Sequence, residues 1–72
     1  MKEIFLNEKD AITILRKGNS KCYFFKIENN ILCIEYNNSN IIVSTMNKEK
    51  VREKIKNMSK NFWEIVKNEE EW

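Results

Sequence analysis

The chain has 72 residues, of which 13 are Lys or Arg and 11 are Asp or Glu, for a formal net charge of +2. That length supports one small α+β domain over residues 1–72 that buries roughly 60% of its unfolded surface, and it excludes a second domain or a deep cofactor cleft. The charge balance does not select nucleic acid or membrane as partner, and the absence of His and Pro and the single Gly remove the usual general base, the commonest transition-metal ligand and glycine-rich phosphate loops.

Met1 to Leu6 is short and largely apolar and reads as an extended arm or an edge strand. Asn7 is suited to cap a helix, Glu8 and Asp10 favour its first turn, and Ala11, Ile12, Ile14 and Leu15 supply an apolar face. Gly18 stands where a left-handed residue would end that helix, so a helix is predicted from about Glu8 to Lys17. Lys21 to Glu28 alternates, with Tyr23, Phe25 and Ile27 on one face. Asn29-Asn30 is a two-residue turn, and Leu32, Ile34 and Tyr36 continue the same face on the next strand. This register pairs Ile27 with Leu32, Phe25 with Ile34 and Tyr23 with Tyr36.

Asn38-Ser39 is the centre of the second turn, and it pairs Tyr36 with Ile41, Ile34 with Val43 and Leu32 with Thr45. The result is a three-stranded antiparallel meander. From Asn47 onward the chain reads as one helix, capped by Asn47. Its stripe of Val51, Ile55, Met58, Phe62, Ile65 and Val66 is about 100° wide, as for a helix packed on a sheet. The predicted order is α-β-β-β-α, with both helices on one face of the sheet.

In that register Cys22 and Cys33 lie on the opposite face, about 13 Å apart along the strand direction, too far for a bridge. Without His or another thiol they form no zinc set. They read as two unrelated free cysteines, with no metal and no cofactor expected. Nothing marks the chain for an oxidising compartment, and no apolar run approaches the ~20 residues of a spanning helix. The expected compartment is therefore the cytoplasm, and no membrane partner is expected.

Two surfaces remain for function. The face opposite the predicted core carries a row of Phe24, Glu35 and Ile42, a carboxylate between apolar groups, expected to be open to solvent and to bind protein. A homodimer across this face is one form of that contact. The alternative is a basic helix face: residues 48 to 60 carry six basic and two acidic groups. There Arg52, Lys56, Lys60 and Lys67, with Trp63 among them, and Lys48 and Lys50 at the helix start would hold phosphates and stack a base. Glu49–Arg52 and Lys60–Glu64 stand at ion-pairing spacing on the same helix. The acidic run Glu69-Glu70-Glu71 before Trp72 opposes a helix dipole, so it reads as a tail or as a contact for a basic surface. No nucleophile–base pair is assembled by this pattern, so no catalytic residue is assigned and the protein is expected not to be an enzyme.

Lys, Asn and Ile supply 32 of the 72 residues, the bias of an AT-rich bacterial or phage gene. The α-β-β-β-α order and the lysines of Asn47-Lys48-Glu49-Lys50-Val51-Arg52 resemble the double-stranded-RNA-binding domain, which implies phosphate contacts at the start of the last helix. The second half is similar to the small Cas9-inhibiting anti-CRISPR proteins of phage. The similar stretches are Ile34-Glu35-Tyr36-Asn37-Asn38, Val43-Ser44, Lys60-Asn61-Phe62-Trp63 and Glu69-Glu70-Glu71-Trp72. That resemblance implies an anti-defence inhibitor working in the host cytoplasm on a host protein or ribonucleoprotein complex, such as a CRISPR effector. It also implies Glu64, Glu69, Glu70 and Glu71 as acidic contacts.

Overall fold

The structure, a computed structural model, describes residues 6–69. It is an α+β arrangement of a five-stranded antiparallel sheet and one α-helix. After a 3-10 turn at Glu8–Asp10 come β1 (Thr13–Lys17), β2 (Ser20–Ile27), β3 (Asn30–Asn37), β4 (Asn40–Met46), α1 (Lys48–Lys60) and β5 (Glu64–Asn68). The strands lie in the order β4-β3-β2-β1-β5. Four strands form a meander; the helix then carries the chain back across the sheet to place β5 beside β1.

Both expected helices are corrected. Asn7 does cap, its side chain accepting from the Lys9 N–H at 3.0 Å, but it caps a single 3-10 turn. Beyond it Ile12, Thr13 and Ile14 form a β-branched run that loses rotamer freedom in a helix and packs well in a sheet. Gly18 has its positive φ of 59°, in the turn between β1 and β2 rather than at a helix end. The second helix starts where the sequence places it, with the Lys50 N–H donating to Asn47 Oδ1 at 2.9 Å. It stops at Lys60, where the Trp63 N–H donates to the Met58 carbonyl across five residues and Phe62 takes a φ of 67°. That is a Schellman closure with Phe62 in the position usually given to Gly. Ile65 and Val66, another β-branched pair, then extend as strand; the β1–β5 ladder shifts register between Ile14 and Leu15, so that Lys67 and Ile65 face them and Val66 is the extra residue between.

The second hairpin pairs as expected, with Tyr36 opposite Ile41, Ile34 opposite Val43 and Leu32 opposite Thr45. The first is displaced by one position. Its turn is Glu28-Asn29, with Glu28 at φ 55°, so Ile27 pairs with Asn30, Phe25 with Leu32 and Tyr23 with Ile34. The displacement moves the partner by two residues, so side chains keep their faces while every cross-strand neighbour changes.

The sheet is packed on both faces. Leu15, Cys22, Phe24, Ile31 and Cys33 meet Val51 and Met58 of α1 on one side. Ala11, Ile14, Tyr23 and Phe25 cluster on the other, beneath the segment that carries Leu6 and Glu8. The helix thus covers the face expected to be open, and the face expected beneath helices carries the N-terminal turn. Of the predicted helical stripe, Val51 and Met58 are buried and Ile55 is partly buried against the core, whereas Phe62, Ile65 and Val66 are exposed.

Candidate functional site

The reversal of faces removes the predicted protein-binding row. Phe24 is completely buried under α1. The displaced hairpin also sets it opposite Cys33, while Glu35 and Ile42 remain paired across β3 and β4. Glu35 is no open carboxylate: Lys54 Nζ lies 3.4 Å from it. The Lys54 ammonium loses hydration through burial, yet the negative charge at Cys33 and Glu35 outweighs this and holds its pKa above the ordinary value. Ile42 alone of the three stays exposed.

Its exposure is shared by Asn40–Val43 and Thr45 of β4, whereas Ser44 and Met46 are half-buried. Ile41 and Val43 on one face and Ile42 on the other are 63%, 58% and 53% exposed. The reason is geometric. α1 packs over the sheet interior, where Leu15, Phe24 and Cys33 are buried, leaving β4 as a ledge beyond that packing. The strand Asn-Ile-Ile-Val-Ser-Thr-Met contains no charge and no Pro. Among the described residues its outer side pairs with nothing, since β4 ends the sheet. Native proteins usually blunt such an edge with a Lys, a Pro or a bulge. Here none of these is present in the strand.

Beside the ledge runs an open groove of about 720 Å³, lined by Thr45, Met46 and Asn47 and by one flank of α1. Lys50, Lys54, Asn57 and Asn61 recur along that flank, with Glu53 beside them and Met58 beneath. The groove therefore offers an apolar base and a polar wall next to unpaired strand backbone. Phe62 follows Asn61 at the end of the helix and is 89% exposed. An aromatic ring held out to water by a backbone in the left-handed region is a costly arrangement. The sequence signal for this site was the uncharged run from Asn40 to Met46, in which alternation set Ile41 and Val43 beneath helices and left only the Ile42 side open.

The basic set is dispersed more than expected. Lys48, Lys50, Arg52, Lys56 and Lys60 are all exposed on α1. Trp63 and Lys67 do not stand among them: Trp63 lies beyond the helix, half-buried against the core, and Lys67 is on β5. Glu64 pairs with Arg16 of the neighbouring strand at 2.7 Å rather than with Lys60. Glu69 lies 3.7 Å from Lys67. Glu70, Glu71 and Trp72 lie outside the described residues, as does most of Met1 to Leu6.

The cysteines are corrected as well. The one-position displacement sets Cys22 opposite Glu35 and Cys33 opposite Phe24, so the two sulfurs are diagonal neighbours 3.5 Å apart, both buried and both free. Among the described residues no three His, Cys, Asp or Glu side chains are grouped to hold a metal, and no helix is long and apolar enough to cross a membrane. No family model, curated protein or solved structure matches the chain.

Proposed function

We propose that this protein is an interaction module without catalytic chemistry of its own, which docks along β4 by accepting an extended segment of a partner protein. The observation that carries the reading is the seven-residue, uncharged edge strand, exposed to solvent along Asn40–Val43. Backbone N–H and C=O groups along such an edge supply affinity for any extended chain, and side-chain contacts beside it supply selectivity. Ile41 and Val43 would grip one side of the added strand, with Ile42 and the α1 groove on the other. Phe62 extends the apolar contact at the groove's far end.

The specific form we propose is an anti-defence inhibitor of a host nuclease ribonucleoprotein, in keeping with the anti-CRISPR resemblance of the second half. Two stretches of that resemblance, Val43-Ser44 and Lys60-Asn61-Phe62-Trp63, fall on the ledge and at the groove's end. A DNA-cleavage reaction by a Cas9-type complex is the test. Wild-type protein is expected to suppress cleavage, and the double variant Ile41→Lys, Val43→Lys to lose that suppression while staying folded. Undiminished cleavage at saturating wild-type protein would remove the nuclease as target. Equal inhibition by both proteins would remove the β4 edge. A wild-type dimer that the double variant turns into monomer would put a second copy on the edge instead.

A second reading has its own observation. Arg52, Lys56 and Lys60 share the outward side of α1 and are exposed, which suits phosphate contacts. Binding of RNA or DNA by that face would weaken steeply as salt is added. Nucleic-acid affinity that is absent at low salt excludes it.

A further inference from the structure

Cys22 and Cys33 are the two thiols of the chain, both are buried, and the docking reading uses neither. Their sulfurs stand 3.5 Å apart beneath α1. A disulfide needs about 2.05 Å between the sulfurs, so closure requires a further approach of about 1.5 Å within side chains already facing each other. Around them, Glu35 is the direct cross-strand neighbour of Cys22, and Lys54 bridges from the helix to Glu35 at the groove wall.

We infer that Cys22 and Cys33 form a modification site at which hydrogen peroxide converts two thiols into an internal disulfide. The two sulfurs are not equivalent. The hydrogen bond between the two sulfurs lowers the Cys33 pKa from its ordinary value, and Lys54 and the Ser44 hydroxyl add to this against the effects of burial and of Glu35. The same hydrogen bond, followed by burial, raises Cys22. Ser44 stands directly across from Cys33 and the Glu35 carboxylate directly across from Cys22, a placement that makes Cys33 the attacking sulfur and Cys22 the resolving one.

The Cys33 thiolate attacks one peroxide oxygen and the O–O bond breaks. The departing hydroxide takes up the proton released by Cys33 and leaves as water, and Cys33 is left as a sulfenic acid. Cys22 then attacks the Cys33 sulfur. The S–S bond forms, the S–O bond breaks, and the Cys22 proton leaves with the hydroxyl as a second water. Two thiols and one peroxide become one disulfide and two waters; the sulfurs lose two electrons and the peroxide oxygens gain them.

The test treats the reduced full chain with hydrogen peroxide, then unfolds it and alkylates it with a maleimide. Thiol counting decides, because oxidation of Met46 or Met58 adds oxygen without consuming thiols. The expected result is a monomer that has lost two hydrogens and both alkylatable thiols, with both restored by dithiothreitol. Cys22→Ser is expected to stop at a sulfenic acid trapped by dimedone, and Cys33→Ser to yield none. Retention of both thiols overturns the inference. So does loss that dithiothreitol fails to reverse, or disulfide-linked dimers in place of the internal bridge. None of these readouts depends on binding along β4.

Discussion

Phe62 shows how one backbone angle separates two jobs. Its φ of 67° closes the helix, a conformation that costs an L-residue with a side chain on the order of 1 kcal/mol relative to Gly. With its ring almost wholly exposed, little packing offsets this cost. Phe62→Gly is therefore expected to stabilise the fold by about 1 kcal/mol in urea denaturation, while weakening docking at the groove's end. Unchanged or lowered stability would mean that the ring contributes contacts that the fold requires. Glu28 and Asn38 occupy the same left-handed region in their turns. Asn38 was legible in advance because Asn tolerates that region, whereas Glu28 was not, and the register moved accordingly.

At the scale of elements, α1 is held at its start by a cap and along its length by a narrow apolar stripe. Asn47 satisfies the Lys50 N–H, which helical hydrogen bonding leaves open. Asn47→Ala is expected to cost about 1 kcal/mol, measured as a drop in the denaturation midpoint with no change in slope. The start of this helix and its Val51 and Met58 contacts were readable from capping and spacing. Its end was not. The stripe runs on through Phe62, Ile65 and Val66 at helical spacing, but that spacing also fits a turn followed by a strand. Residues 64–68 pair with β1 because β1 otherwise leaves one side of its backbone open. β2 gave a clearer warning: Cys22, Tyr23, Phe24 and Phe25 are four consecutive apolar residues. Such a run marks a strand buried on both faces rather than one with an open side.

At the scale of the whole molecule, burial on both faces couples ionisation to stability. Burial raises the Tyr23 pKa above its ordinary value of 10.0, with the Glu8 charge adding to it. The folded state thus holds the phenolic proton more tightly than the unfolded chain. Its contribution is fully present below the unfolded pKa and is lost as pH rises through the folded one. Lys54, also raised, acts in the same direction above its ordinary 10.5. The denaturation midpoint is expected to fall as pH is taken from about 9 to about 11, and to fall less in Tyr23→Phe. An identical slope in the variant would remove Tyr23 as a source.

Local chemistry settled β2, β3 and β4, the second turn and its register, the Asn47 cap and which of their side chains share a face. All of these depend on residues within a few positions of one another, where φ preferences and alternation act directly. Tertiary packing decided which face the helix covers, the fifth strand, the meeting of the two sulfurs and the exposure of β4. Both faces of the central strands are apolar enough to be core, so alternation could not rank them. The outcome follows from where one short helix can cross the sheet and still return residues 64–68 to the open side of β1.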